Sequence, residues 1–155
     1  MAKEIERKFL VDFQKLPPLS NPYSIKQGYI SGCISATVRI RIRNEEAFLT
    51  LKGKTNGLSR SEFEYPVPLS DAKQMLEELC STAVIEKKRY HLNYQGHLWE
   101  IDIFEGTNRG LIVAEIELSH EDETFLKPEW VTQEVSSDVR YRNSNLITHP
   151  YSLWQ

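Results

Sequence analysis

Cysteine is scarce in this chain. Cys33 and Cys80 stand alone, with no C-x-x-C pair. That spacing excludes a disulfide framework and a cysteine zinc cage, and it fits reduced thiols in a cytoplasmic setting. His91, His97, His120 and His149 show no zinc-like spacing and read as ordinary polar residues. No apolar run approaches the roughly 18–20 residues of a membrane-spanning helix. The N-terminus MAKEIERK is charged at once, unlike a secretory signal. Positive charge is not in excess either. Nineteen Lys and Arg against 22 Asp and Glu leave a net charge of −3, so the chain as a whole is no magnet for nucleic acid. Any anion it binds must meet a local concentration of bases. Internal repeats and low-complexity tracts are absent.

What remains, 155 residues with 40% hydrophobic and 26% charged, is an ordinary soluble composition. It predicts one domain over 1–155. Period-two alternation dominates and predicts strands over 3–11, 24–32, 35–43, 46–53, 60–66, 83–92, 97–104 and 111–118. Turn chemistry separates several of them, at Asn44-Glu45, Asn56-Gly57, Gln95-Gly96 and Gly106 to Gly110. Pro17, Pro18 and Pro22 make 12–23 an ordered loop. A helix over 71–80, capped by Ser70, would show Ala72, Met75, Leu76 and Leu79 on one face. Ser119 with Asp122 suggests a short helix ending near Pro128, and a third helix is expected over 137–147. The expected fold is mainly β: a closed, eight-stranded antiparallel barrel with a few helices packed outside.

Residues i and i+2 of a strand share a face. Sorted this way, the strands carry charged rows: Glu4, Glu6, Lys8; Arg39, Arg41, Arg43; Glu62, Glu64; Lys87, Arg89; Glu100, Asp102; Glu115, Glu117. Lys52 ends a row with Phe48 and Thr50. Most rows are backed by apolar ones, such as Val38, Ile40, Ile42 and Ile116, Leu118. A lone strand of this kind would be a solvated surface over an apolar core. The set differs because its signs are segregated. Ordinary surfaces intersperse them, since like charges in a row repel.

With the rows turned inward, eight carboxylates would face seven bases. Burying them dry would cost several kcal/mol per ion. The interior must therefore be wide, wet and filled in use by counter-ions, with the outward apolar rows covered by helices. A triphosphate with a divalent cation suits such a lining. Arginine forks grip phosphate oxygens, lysines act as point charges, and paired carboxylates can converge on Mg²⁺ or Mn²⁺.

The residues resemble a known family. Glu4 to Lys8, E-I-E-R-K, is similar to the ExExK signature of the CYTH domain, or triphosphate tunnel metalloenzymes. Arg39 to Arg41, Lys52, Glu62 to Glu64, Lys87 to Arg89, E-I-D at 100–102 and E-I-E at 115–117 follow in the family's order. The likeness spans nearly the whole chain and is greatest to short bacterial inorganic triphosphatases. It implies an eight-stranded tunnel, Mg²⁺ or Mn²⁺ as cofactor, and hydrolysis of a triphosphate. Carried over by position, Glu4, Glu6 and Glu117 are the first metal-ligand candidates, with Glu115 and Asp102 next. Lys8, Arg39, Arg41, Lys52, Lys87 and Arg89 would hold the phosphates. The resemblance also implies a C-terminal helix closing one tunnel mouth, around Asp138, Arg140, Tyr141, Arg142 and Asn143.

Several alternatives stay open at this level. Arg140 or Arg142 reaches the substrate, or both lie on a surface helix. Tyr29 is an inward hydrogen-bond donor or a packed aromatic. Arg43 continues the basic row or lies past the mouth, and Glu62 and Glu64 line the site or only pair with the arginines. The expected reaction is cleavage of inorganic triphosphate to pyrophosphate and phosphate. Class IV-type adenylate cyclase activity, thiamine triphosphate hydrolysis and a non-enzymatic polyphosphate receptor are the rivals. The expected partner is a small triphosphate, without nucleic acid or membrane, and both monomer and homodimer remain open. Two decoys fail. Gly53-Lys54-Thr55 resembles a P-loop tail, but the pattern needs glycine where Phe48 stands. An outer-membrane barrel shares the alternation, but no export signal opens the sequence and half of the expected strands are shorter than the roughly 9–11 residues of a spanning strand.

Overall fold

The computed structural model describes residues 3–32, 35–80 and 84–154. Cys33 and Ala83, the first residue of one expected strand, lie outside the described residues. The alternating segments become β1 (Lys3–Val11), β2 (Tyr23–Ile30), β3 (Thr37–Arg43), β4 (Glu46–Lys52), β5 (Ser59–Val67), β6 (Ile85–Tyr94), β7 (His97–Phe104) and β8 (Ile112–Glu117). Every pairing is antiparallel, in the order β5-β4-β3-β2-β6-β7-β8-β1. β1 then returns to β5 through Lys3–Ser61, Glu4–Arg60 and Ile5–Ser59, which closes an eight-stranded barrel. Gln95-Gly96, with φ of 49° and 83°, makes the two-residue turn that sets Tyr94 opposite His97.

A ninth strand escaped the sequence reading. β5 leaves the edge of β1 after Ile5, and β9 (Val131–Glu134) takes it over, pairing Glu134 with Phe9 and Val131 with Val11. Four residues, V-T-Q-E, are too few to display a period. The free edge of β1, and the Glu134 carboxylate that accepts from Arg7 Nε at 2.9 Å, decide it.

The outward rows are covered on two sides. Phe9, Trp99, Ile101, Ala114, Ile116 and Trp130 form one cluster, roofed by Leu16 and Leu19 of the proline-rich loop and by Phe125. The helix expected from Ser119 to Pro128 is not formed. Glu123 Oε1 instead accepts from the backbone and hydroxyl of Ser119, both at 2.6 Å, and closes a single turn. The chain beyond it is pulled down as Phe125 packs edge-on against Phe9 and Trp99. On the other side α1 (Leu69–Glu78) lays Ala72 and Leu76 on Ile40 and Ala47. It starts two residues earlier than expected, with Pro68 rather than Ser70 at its N-cap, because Leu69 joins the same apolar cluster. Other parts of the chain thus cover these two apolar faces. Among the described residues no helix is long and apolar enough to cross a membrane.

The inner face is not polar throughout. In register with Lys8, Lys87, Asp102 and Glu115, the next inward positions are Leu10, Ile85, Phe104 and Val113. They form a third cluster with Tyr141, Leu146, Ile147, Tyr151 and Trp154 of the C-terminal segment, which plugs that end of the barrel. The expected helix over 137–147 is reduced to a 3₁₀ turn, Val139–Tyr141, and one α turn, α2 (Asn143–Leu146). Asn145 spends its side-chain amide on the Val139 carbonyl at 2.6 Å, a local bond that competes with a continuous helix.

α1 approaches β2 closely because residue 28 is glycine. A Cβ there would lie 2.9 Å from Leu76 Cδ2 and 3.0 Å from Cys80 Cβ and Sγ. β-propensity favours valine in a strand, but packing overrules it. Gly28→Val is expected to lower stability by about 1–3 kcal/mol in urea unfolding. Adding Leu76→Ala should recover part of that loss, and full additivity of the two losses would contradict the contact.

Candidate active site

Strand order converts the charged rows into two half-walls. β4, β3, β2 and β6 are consecutive neighbours and carry Lys52, Arg39, Arg41, Arg43, Lys87 and Arg89. β7, β8, β1 and β5 are the other consecutive four and carry Glu100, Asp102, Glu115, Glu117, Glu4, Glu6, Glu62 and Glu64. Lys8 and Arg60 are the two bases on these four strands that line the cavity. Between the halves lies a polar cavity of about 300 Å³. Glu4, Glu6, Lys8, Arg39, Arg41, Lys52, Lys87, Arg89, Glu115 and Glu117 all line it. Asp102 does not. It is fully buried behind the wall, with both oxygens committed to bases.

Ion pairs stitch the two seams where the halves meet. At one, Lys52 Nζ lies 2.8 Å from Glu4 and 3.4 Å from Glu62. Beside it Arg39 reaches Glu64 at 3.3 Å, and Thr50 donates to the same carboxylate oxygen at 2.8 Å. At the other, Arg89 makes a bidentate contact to Asp102 at 2.7 and 2.9 Å. Lys87 Nζ approaches Asp102 at 2.7 Å and donates to Asn143 Oδ1 at 2.9 Å. Lys8 Nζ donates to the Tyr141 carbonyl at 3.0 Å. The plug thus touches two of the lining bases directly.

The electrostatics follow from this placement. Burial pulls Asp102 upward, but Arg89 and Lys87 hold it far below the usual carboxylate range. Burial lowers Lys87 to about 7, with Arg89 and Arg41 adding repulsion that Asp102 only partly offsets. Against burial, Lys52 holds Glu4 near 2, and Lys8 and Arg89 hold Glu115 near 2. Glu6 goes the other way. Burial and the charges of Glu115 and Glu4 push it well above the usual range. Burial and Glu4 also raise Glu62 and Glu117. Arg41 is lowered to about 9 by burial and by Arg39 and Arg89.

The acidic wall is therefore charge-frustrated. Glu6 faces Glu117 across β1 and β8, whereas Glu4 Oε2 is answered by Lys52 Nζ at 2.8 Å. Among the described residues no three carboxylates converge on one point as a ready-made cage.

Other lining residues were missed or left undecided in the sequence. Arg60 shares the parity of Glu62 and Glu64, so the row rule would have found it. It lines the cavity and donates to the Gly53 carbonyl at 3.1 Å. Tyr29, Arg43, Glu62 and Glu64 line the cavity, which settles their direction. Arg142 and Asn143 line it too, whereas Arg140 turns out to pair with Asp138 on the surface at 2.7 Å. Gln27, uncharged and fully buried, carried no signal in the charged rows.

Comparison with known proteins agrees with this geometry. The model of the CYTH domain matches residues 2–151. An inorganic triphosphatase of Acetivibrio thermocellus is 46% identical over 151 residues, 97% of each chain. One from Nitrosomonas europaea is 36% identical over 147 residues, covering 92% of this chain and 95% of its own. The crystal structure of an inorganic triphosphatase superposes with a TM-score of 0.66 at 32% identity, covering 92% of this chain and 96% of the other. An eight-stranded barrel lined by E-I-E-R-K, R-I-R and E-I-E rows, matched from residue 2 to residue 151, makes this chain a member of the CYTH domain family.

Proposed function

We propose that this protein is a metal-dependent hydrolase that cleaves inorganic triphosphate to pyrophosphate and phosphate within a single domain. The bipolar lining carries the reading: a wall of bases faces a wall of mutually repelling carboxylates across a wet cavity. A polyanion answers the first wall and a divalent cation the second. The inorganic triphosphatases that this chain resembles over almost their full length support the choice of substrate.

Arg39, Arg41, Lys52, Lys87, Arg89 and Lys8 hold the phosphoryl groups. Arginine forks and lysine charges neutralise a substrate bearing several negative charges. Glu4, Glu6, Glu115 and Glu117 hold Mg²⁺ or Mn²⁺. The donor set fits: Mg²⁺ keeps several waters and takes one or two carboxylates plus phosphate oxygens, so no closed cage is required. Glu6, facing Glu117 across the strand pair and raised by burial and by Glu115 and Glu4, marks where positive charge is missing. A metal ion there would withdraw charge from the phosphoryl oxygens as water attacks. Asp102 is assigned away from the metal. Its two oxygens hold Lys87 and Arg89 in place, so it orients the phosphate grip from behind. A cytoplasmic setting belongs to the same reading, supported by the free thiol of Cys80 under α1.

Purified protein is expected to release phosphate from tripolyphosphate with Mg²⁺ or Mn²⁺. EDTA or Glu4→Ala should abolish release, and Arg39→Ala should lower kcat/KM by on the order of 100-fold. Full turnover by Glu4→Ala would remove the metal assignment. Cyclic AMP formed from ATP would replace hydrolysis with cyclase chemistry.

A second prediction concerns pH. Glu6, Glu62 and Glu117 have raised pKa values. Without metal, the folded state therefore binds more protons than the unfolded chain between about pH 5 and 7, and stability falls as pH rises there. Glu4 and Glu115 have the opposite sign, but their contribution is already complete above the ordinary carboxylate range. Lys87, lowered to about 7, adds stability only at higher pH. Scanning calorimetry in EDTA should show Tm falling from about pH 5 to 7. Added Mg²⁺ should raise Tm more at the upper end than at the lower. A Tm that climbs across this window in EDTA would refute the frustrated wall.

A further inference from the structure

One buried contact on the basic half-wall does what no ion pair there does. Lys52, Arg39, Lys87 and Arg89 each meet a carboxylate. Arg41 has no ion pair among the described residues. Its Nε donates instead to Gln27 Oε1 at 2.7 Å, and Gln27 Nε2 lies 2.7 Å from the Tyr29 hydroxyl. Gln27 is completely buried between them on β2, while Arg41 and Tyr29 line the cavity. An arginine Nε can only donate, so the amide atom facing it must be the oxygen. The amide nitrogen therefore faces Tyr29 and donates to the phenolic oxygen. That leaves the tyrosine proton with no acceptor in the described protein, on a hydroxyl that borders the cavity.

Resting on the triphosphate reading above, we propose that Gln27 is a positioning residue that aims the full charge of Arg41 and the Tyr29 hydroxyl proton at one substrate phosphate. Neutrality is the point. A carboxylate at this position would hold Arg41 equally well, but it would neutralise the guanidinium and draw the tyrosine proton to itself. The amide orients both groups and leaves both unspent. Tyr29 then becomes a phosphate-binding residue, and β2, the strand of the basic half-wall with no inward charge, supplies an aiming device.

The test is calorimetric binding of tripolyphosphate to the metal-free full-length protein, with Tm measured alongside. Tyr29→Phe should weaken binding about 10-fold. Gln27→Glu, nearly isosteric, should weaken it at least about 10-fold while Tm stays equal to wild type or rises. In the Gln27→Glu background, Tyr29→Phe should cost nothing further, since the proton already points away from the cavity. A merely structural glutamine predicts the reverse: a lower Tm and an independent effect of Tyr29→Phe. Gln27→Glu binding within about two-fold of wild type, or Tyr29→Phe losing equally in both backgrounds, would overturn the proposal. Should Gln27→Glu fail to fold, Tyr29→Phe decides alone, and binding within about two-fold of wild type overturns it. Wild type that binds tripolyphosphate but never cleaves it with Mg²⁺ or Mn²⁺ would refute the hydrolase reading and leave this one to the binding data. Wild type that does not bind at all overturns this one.

Discussion

Repulsion between like charges held close together inside a barrel is the constraint on which this molecule turns. Glu4, Glu6, Glu115 and Glu117 project into one small space, and Arg39, Arg41, Lys87 and Arg89 into the same space from the other side. Neither set would persist dry and alone. They persist because the strand order puts each sign on its own half-wall and lets the two halves bind at the seams, through Lys52–Glu4 and Arg89–Asp102. What the seams leave unbalanced, the raised Glu6 and Arg41, which meets no carboxylate among the described residues, is the charge available to ligands.

Packing serves that arrangement from outside and from one end. A barrel with a polar lumen cannot use its own centre as a core, so the hydrophobic effect has to act elsewhere. Here it acts in three places. Phe125 and Trp130 cover the acidic half, α1 covers the basic half, and the C-terminal segment plugs the end at Leu10, Ile85, Phe104 and Val113. The plug is more than a stopper. The Tyr141 carbonyl and Asn143 hold the lysines Lys8 and Lys87. Stability of the end wall and placement of two cavity bases thus depend on one segment.

The bases are also graded in how firmly they are spoken for. Arg89 is gripped bidentately by Asp102, Lys87 shares the same carboxylate, and Arg39 and Lys52 contact carboxylates at the seam. Arg41 is oriented by a neutral amide. A site built this way keeps its geometry when empty and still has unspent positive charge to offer, the preorganisation that electrostatic stabilisation of phosphoryl transfer requires.

Much of this was legible in the residues. Parity alone put Glu4, Glu6, Lys8, Arg39, Arg41, Lys52, Lys87, Arg89, Glu115 and Glu117 on one face, because a strand repeats every two residues whatever it packs against. Alternation also implied eight strands, the spacing of Ala72, Met75, Leu76 and Leu79 a covering helix near 71–80, and the segregation of sign an inward lining. Other features lay beyond any local pattern. β9 exists because β5 abandons an edge of β1, a fact about two distant strands. Asp102 shares the parity of Glu100, yet it is spent on bases rather than open to the cavity, because Arg89 lies opposite it on β6 and Lys87 Nζ reaches it at 2.7 Å. Gln27 is invisible to a search for charge. The sequence by itself determined the composition of each row, since side-chain alternation is a property of the backbone. Only the tertiary structure decided which rows became neighbours, which charges were neutralised and which stayed free, since those depend on distances between residues far apart in the chain.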